Sequence, residues 1–195
     1  MRFLALDFET SGLDPKRHAP VTLGVALFDG DQVEARVEWI FAPPTNKDGK
    51  ITREYDALAL EVSGNTLGRI RAKGMAHAQV LSELAGFARE HEAARLPVVA
   101  FNSPFDLAFY SELMFLAGSW DQASRSFKTF KPPLAGPWQC VRMLAAQKLD
   151  LDKYSLDAVA AHFGLSRGSD LHGAIEDAIL AGQVYRRLTL MEDSL

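Results

Sequence analysis

The chain has 195 residues, of which 48% are hydrophobic and 24% charged, and a formal net charge of −4; these values fit one domain with a proper core and exclude a disordered chain. The acidic balance argues against non-specific wrapping of duplex nucleic acid, which needs a strongly basic face. The single cysteine, Cys140, excludes an internal disulfide and a cysteine-based zinc site.

The first stretch, Arg2-Phe3-Leu4-Ala5-Leu6-Asp7-Phe8-Glu9-Thr10-Ser11-Gly12-Leu13, reads as an apolar strand that runs out into a turn. Residues 13–18 follow as a polar loop fixed by Pro15. Residues 21–28 are a second strand, Asp29-Gly30-Asp31 a hairpin turn, and residues 33–41 a third strand. In the third, Val33, Ala35, Val37, Trp39 and Phe41 alternate with charged residues, as in a half-buried antiparallel strand. Residues 43–73 lack a strong period and read as a loop-rich connection with a short helix at 55–62.

A helix is predicted over residues 75–94, with Val80, Leu84 and Phe87 on one face. The continuous apolar run 96–101 reads as a strand covered on both sides. It leads into a helix ending near residue 117, with Ser103 as N-cap and Pro104 in the first turn. Residues 118–137 are a second irregular stretch. Residues 138–140 suggest a last short strand, followed by a helix to about residue 149. Ser155 caps another helix, stopped at Gly164. A long helix opens at 171–173 and runs to about residue 190, with Ala174, Ala178, Ala181, Tyr185 and Leu188 forming a face for close packing. The order implies one α/β domain over 1–195, a mixed sheet with helices on its faces and irregular insertions at 43–73 and 118–137. No apolar run reaches the length of a membrane span, and no secretory signal is read at the N-terminus. No membrane partner and a soluble, cytoplasmic setting are the expectations.

Four acids organise the functional reading. Side chains two apart on a strand point to one face, so Asp7 and Glu9 project together. Their like charges repel unless a cation lies between them or one stays protonated, and hard divalent ions take such oxygen ligands. Asp106 and Asp177 each sit early in a helix, where the dipole favours an anion in any case. Ligands in open α/β sheets bind beyond the carboxyl ends of strands, which is where Asp7, Glu9, Asn102 and Asp106 fall. His172 stands five residues before Asp177 and has the chemistry of a base near neutrality. His18, His77, His91 and His162 read as capping or packing residues. Three or four carboxylates and a histidine suit a pair of divalent ions hydrolysing a phosphodiester.

Three segments, Asp7-Phe8-Glu9-Thr10-Ser11-Gly12-Leu13, Asn102-Ser103-Pro104-Phe105-Asp106 and His172-Gly173-Ala174-Ile175-Glu176-Asp177, resemble in order and spacing the motifs of the DEDD exonuclease superfamily, histidine-containing (DEDDh) branch. Residues 171–185 are most similar to the proofreading ε-subunit family of bacterial DNA polymerase III. The resemblance implies a ribonuclease-H-like fold with a mixed five-stranded sheet flanked by helices. It also implies 3′→5′ exonuclease activity releasing nucleoside monophosphates, with two Mg²⁺ or Mn²⁺ ions.

By the same resemblance, Asp7, Glu9, Asp106 and Asp177 are the metal ligands and His172 the general base. Thr10, Leu13, Asn102 and Phe105 are the substrate contacts, although Leu13 and Phe105 also admit plain core packing. The implied partners are 3′ ends of single-stranded or frayed DNA, with RNA as the alternative, and a DNA polymerase or other replication or repair protein. A homodimer through an exposed face of the irregular segments and a non-catalytic nucleic-acid-binding module stay open. Lys16, Arg17, Arg125, Lys128 and Lys131 read either as phosphate contacts or as solvated charges. One departure from the family pattern is Phe101, where many members carry histidine.

Overall fold

The computed structural model describes residues 1–121, 125–167 and 173–191. In chain order the elements are β1 (Arg2–Thr10), β2 (Pro20–Asp29), β3 (Gln32–Ile40), α1 (Ala57–Val62), α2 (Leu67–Lys73), α3 (His77–Glu90) and β4 (Val98–Ala100). Then come α4 (Ser103–Leu116), β5 (Ser119–Asp121), β6 (Ser126–Lys128), β7 (Trp138–Cys140), α5 (Val141–Lys148), α6 (Leu156–His162) and α7 (Ala174–Leu190).

β1, β2 and β3 form an antiparallel meander, turned at Gly30, whose φ of +59° suits glycine. β4 pairs with β1, and β7 with β4, both in parallel, so the sheet order is β3-β2-β1-β4-β7. This is the mixed five-stranded sheet that the sequence implied. Its two faces bury separate cores. Leu4, Leu6 and Phe8 of β1 pack with α3 and α4, through Val80, Leu81, Leu84, Phe109 and Leu113. Phe3 and Ala5 point the other way, toward α5, α6 and α7. No helix among the described residues is long and apolar enough to cross a membrane.

Helix α7 lies close against the sheet. Ala174, Ala178 and Leu188 are fully buried. A Cβ on Gly182 would run into the Phe28 ring and Ala5, and one on Gly24 of β2 would overlap the backbone of Ala174 and Ile175. Small residues on both partners therefore let the helix axis come close to β1 and β2, which fixes where the first turn of α7 falls.

Three local expectations are corrected. Residues 43–73 hold a second helix, α2, capped by Thr66, whose Oγ1 accepts from Arg69 N at 3.1 Å. Its lone buried anchor, Ile70, packs on Val21 and Leu60, and one apolar position gives no period to read. Within the second irregular stretch, β5 and β6 form a two-stranded antiparallel ribbon. At α4, Asn102 rather than Ser103 holds the cap position, without a side-chain capping bond; Ser103 and Pro104 are already helical. The helix starts one residue earlier because Phe105 N donates to Asn102 O at 2.9 Å.

Gly24→Ala is expected to destabilise by about 1–3 kcal/mol through overpacking. Gly86→Ala on α3, where a Cβ meets nothing within 4 Å, should stabilise by about 0.5–1 kcal/mol. Denaturant melts of the two variants check this pair, and equal effects would contradict the close approach of α7.

Candidate metal centre and active-site cleft

The alternation that sends Phe3 and Ala5 toward α7 continues up β1 to Asp7 and Glu9. The last two odd positions of the core-facing series are thus acids rather than apolar residues. They emerge at the carboxyl end of β1, where the first turn of α7 brings in Asp177. One carboxylate oxygen from each of Asp7, Glu9 and Asp177 lies within 4.8 Å of the others. Asp106 arrives from the opposite layer. β4 stops at Ala100, so the upper edge of β1 is uncovered there, and Phe8 N donates to Asp106 Oδ1 at 3.1 Å. Asp106 and Asp177 are buried, while Asp7 and Glu9 are partly exposed.

Carboxylates this close are costly when all are charged. At an effective dielectric of about 20, two unit charges near 5 Å repel by roughly 3 kcal/mol. The titration behaviour follows. Burial pushes the Asp7 carboxyl well above its ordinary value, aided by the charges of Asp106, Glu9 and Asp177. Burial and then the Asp177 charge raise Glu9 to about 7. Burial also raises Asp106 to about 7, against the stabilising hydrogen bond from Phe8 N. The donor set is all oxygen, crowded and reluctant to ionise alone, which is the chemistry of a site for hard divalent cations.

Among the described residues, a cationic group stands at this cluster. Arg167, in the connection between α6 and α7, donates from Nε to Asp177 Oδ1 at 2.5 Å and from Nη2 to Oδ2 at 3.0 Å. Its Nη1 donates to Asp157 Oδ2 at 3.1 Å. Nothing in the sequence motifs singled it out; the available signal was its position ten residues from each of two helix-start aspartates.

Beside Glu9 opens a cavity of about 360 Å³ lined by Phe8, Glu9, Thr10, Gly12, Leu13, Asp56, Leu58, Ala59, Val62 and Phe105. Leu13 is 83% exposed and so is no core residue; Leu58 and Val62 on α1 are exposed across from it. These α1 residues were missed because a six-residue helix with outward apolar side chains reads as a weak amphipathic segment. The cavity wall is pinned by Ser11, which is fully buried. Its Oγ donates to Glu54 O at 2.6 Å and accepts from Ala19 N at 2.9 Å, and its carbonyl accepts from Asp56 N. Gly12, at φ +155°, packs so closely under the His18 ring that a Cβ would overlap it.

Buried Glu112 of α4 ties down the same loops, accepting from Lys16 Nζ at 2.9 Å and from Arg53 Nη2 at 2.5 Å. Arg17 pairs with Glu54. Lys16 and Arg17 therefore serve protein ion pairs in this structure.

The other named residues divide. Thr10 and Phe105 join Leu13 at the cavity, with Thr10 Oγ1 donating to Gly12 O at 2.7 Å. Asn102 does not; it lines a second cavity of about 270 Å³ with Pro104, Cys140, Arg142, Met143, Ala146 and Tyr154. His172 lies outside the described residues. Of the remaining histidines, His77 stacks on Phe41, His91 packs against Phe87 and His162 against Phe163.

The sequence profile of the RNase_T exonuclease family matches residues 4–185, and the chain belongs to that family. The "DNA polymerase III PolC-type" of Thermotoga maritima is 28% identical over 193 residues. That match takes in 97% of this chain and 12% of the polymerase, so the chain spans about an eighth of that relative's length. The "DNA polymerase III subunit epsilon" of Rickettsia felis is 25% identical over 196 residues, covering 97% of this chain and 74% of the subunit. Among solved structures, the nuclease domain of 3′hExo, a DEDDh family member bound to rAMP, superposes with a TM-score of 0.74 at 17% identity. It covers 96% of this chain and 91% of that domain, which establishes the shared fold.

The raised carboxyl values fix the sign of a pH effect in metal-free protein. Folded Glu9 and Asp106 hold protons up to about pH 7, whereas their unperturbed values are 4.5 and 3.8. Between these limits the native state binds more protons, so stability falls as pH rises through the window. Thermal melts in chelator should show a falling midpoint from about pH 4.5 to 7 and a rise for Glu9→Gln at pH 8. A midpoint that climbs with pH through this window would contradict the crowding of charges.

Proposed function

We propose that this chain is a divalent-metal-dependent 3′→5′ exonuclease that shortens single-stranded or frayed DNA from its 3′ end. The observation that carries the proposal is the joining of Asp7, Glu9 and Asp177 within one ligand sphere, with Asp106 bonded to the strand between them. Membership of an exonuclease family supports it, and so does the opening of an apolar cavity directly beside Glu9.

Bound to these acids, two Mg²⁺ or Mn²⁺ ions would supply an activated water and charge stabilisation for the leaving oxygen. Asp7, Glu9 and Asp177 would hold one ion; Asp7, with Asp106 directly or through water, would hold the other. His172 acts as general base, taking a proton from the attacking water as it adds to the terminal phosphodiester. The P–O3′ bond breaks, the upstream strand keeps the 3′-oxygen, and a nucleoside 5′-monophosphate departs.

Leu13 and Phe105 form the apolar walls for the terminal base, with Leu58 and Val62 opposite; stacking on such a surface is sequence-tolerant and worth about 1–3 kcal/mol per base. Thr10 contributes to the terminal-nucleotide site. Asn102, whose carbonyl accepts from Phe105 N, is proposed with Phe105 as the contact to the terminal sugar and neighbouring base. The polymerase relatives favour DNA and a replicative polymerase as partner. The adenylate in the 3′hExo structure keeps RNA as the second reading, for which a 2′-hydroxyl contact is the deciding feature.

The test uses 5′-labelled single-stranded DNA, single-stranded RNA and matched and mispaired primer–templates, with Mg²⁺, Mn²⁺ or chelator. A ladder receding from DNA 3′ ends, faster at mispairs and abolished by chelator, is expected. A ladder on RNA alone would move the proposal to RNA, and hydrolysis persisting in chelator would overturn it.

Asp7→Ala and Asp177→Ala should each lower turnover by at least about 10³-fold without unfolding the protein, an effect of roughly 4 kcal/mol on the barrier. His172→Ala should cost about 10²–10⁴-fold in rate and change the pH–rate profile. An unchanged profile would remove it as the base.

A further inference from the structure

Resting on the reading above, in which Asp177 is a metal ligand, we propose that Arg167 is the resident counter-cation of the centre. It holds Asp177 while no metal is bound and yields that carboxylate to the ion, remaining anchored on Asp157. Arg167 would thus be a positioning residue that sets how much metal the enzyme needs before it is competent.

The geometry gives the guanidinium two handles. Nε and Nη2 meet both oxygens of Asp177 in a bidentate fork, while Nη1 meets Asp157, 2.9 Å from its Oδ1. Fork pairs of this kind are among the strongest charge-assisted hydrogen bonds. The Arg167 side chain is only 11% exposed, so its charge needs partners, whereas Asp157 is 61% exposed and free to follow it.

The same charge reaches across the cluster, opposing the upward shifts of Asp7 and Glu9. Arg167 therefore relieves the crowding that a cation would relieve, through the very oxygens a cation would take. The Nε–Nη2 fork uses one lone pair on each Asp177 oxygen, and a metal ion that takes either of these positions displaces it, so the two bind in competition.

The chain allows the exchange. Arg167 stands two residues after Leu165, whose N donates to Ala160 O and whose side chain packs in the α5–α7 core. Its own backbone lies beyond the last residue of α6, and Asp157 lies in the first turn of that helix. Letting go of Asp177 while keeping Asp157 requires a change in side-chain torsions, with α6 left in place.

Two substitutions move metal affinity in opposite directions. Arg167→Met keeps the length and removes the charge; Asp157→Asn removes the second anchor and commits the guanidinium to Asp177. Calorimetric titration of the free protein with Mn²⁺ is expected to show binding about tenfold tighter for Arg167→Met and weaker for Asp157→Asn, within the usual range of coupling between competing ligands. In chelator, Arg167→Met should melt below wild type, and saturating Mn²⁺ should close that gap. Arg167→Lys keeps a charge without the fork and should tighten Mn²⁺ binding less; it carries the test if Arg167→Met does not fold. Unchanged or weaker Mn²⁺ binding by the folded arginine variants overturns the counter-cation role while leaving the metal centre standing. Wild type that takes up no Mn²⁺ overturns the metal centre and this role together.

Discussion

Like charge crowded at the top of a sheet is the constraint on which the rest of the molecule depends. Asp7, Glu9 and Asp177 share a space small enough for one ion to touch all three, and Asp106 stands against the strand that carries the first two. Left alone, such a group partly protonates, as the raised values of Glu9 and Asp106 indicate. Folding therefore places strain where a cation can relieve it, so metal binding and local stability are two aspects of one electrostatic fact.

The scaffold delivers these four acids from three separate elements, β1, α4 and α7, each through a different physical device. Strand alternation aims Asp7 and Glu9 at the α7 layer. The early end of β4 exposes the Phe8 N–H, which captures Asp106 from the opposite layer. Glycine and alanine at the contact of α7 with β1 and β2 lower the helix until Asp177 meets them. The cavity beside Glu9 is built by tethering: Ser11 fastens the loop after β1 to residues 54 and 56, and Glu112 clamps Lys16 and Arg53. Leu13 can stay exposed beside an acidic centre because its loop is held from beneath.

Much of this was legible in the sequence where a short-range rule governs. The two-residue spacing of Asp7 and Glu9, the hairpin at Gly30, the cap at Ser155 and the alanine face of α7 each follow from local periodicity or backbone preference. The convergence of distant acids came from motif order. What escaped depended on tertiary contacts with no local signature. α2 hangs on the single buried side chain of Ile70. The β5–β6 ribbon has strands of three residues each. Leu58 and Val62 gain significance only once α1 faces Leu13 across a cavity. Arg167 is unremarkable until α6 and α7 bring Asp157 and Asp177 to either side of it. Asn102 borders a second cavity with residues of α5, while its carbonyl accepts from Phe105 N, a pairing that the motif alone does not display.

A cation site shared by these four acids is open to direct test. Its most direct test is anomalous diffraction from crystals soaked in Mn²⁺. Two peaks about 3.5–4 Å apart are expected, one among Asp7, Glu9 and Asp177 and the other between Asp7 and Asp106. Strong peaks elsewhere with none among these four carboxylates would contradict it.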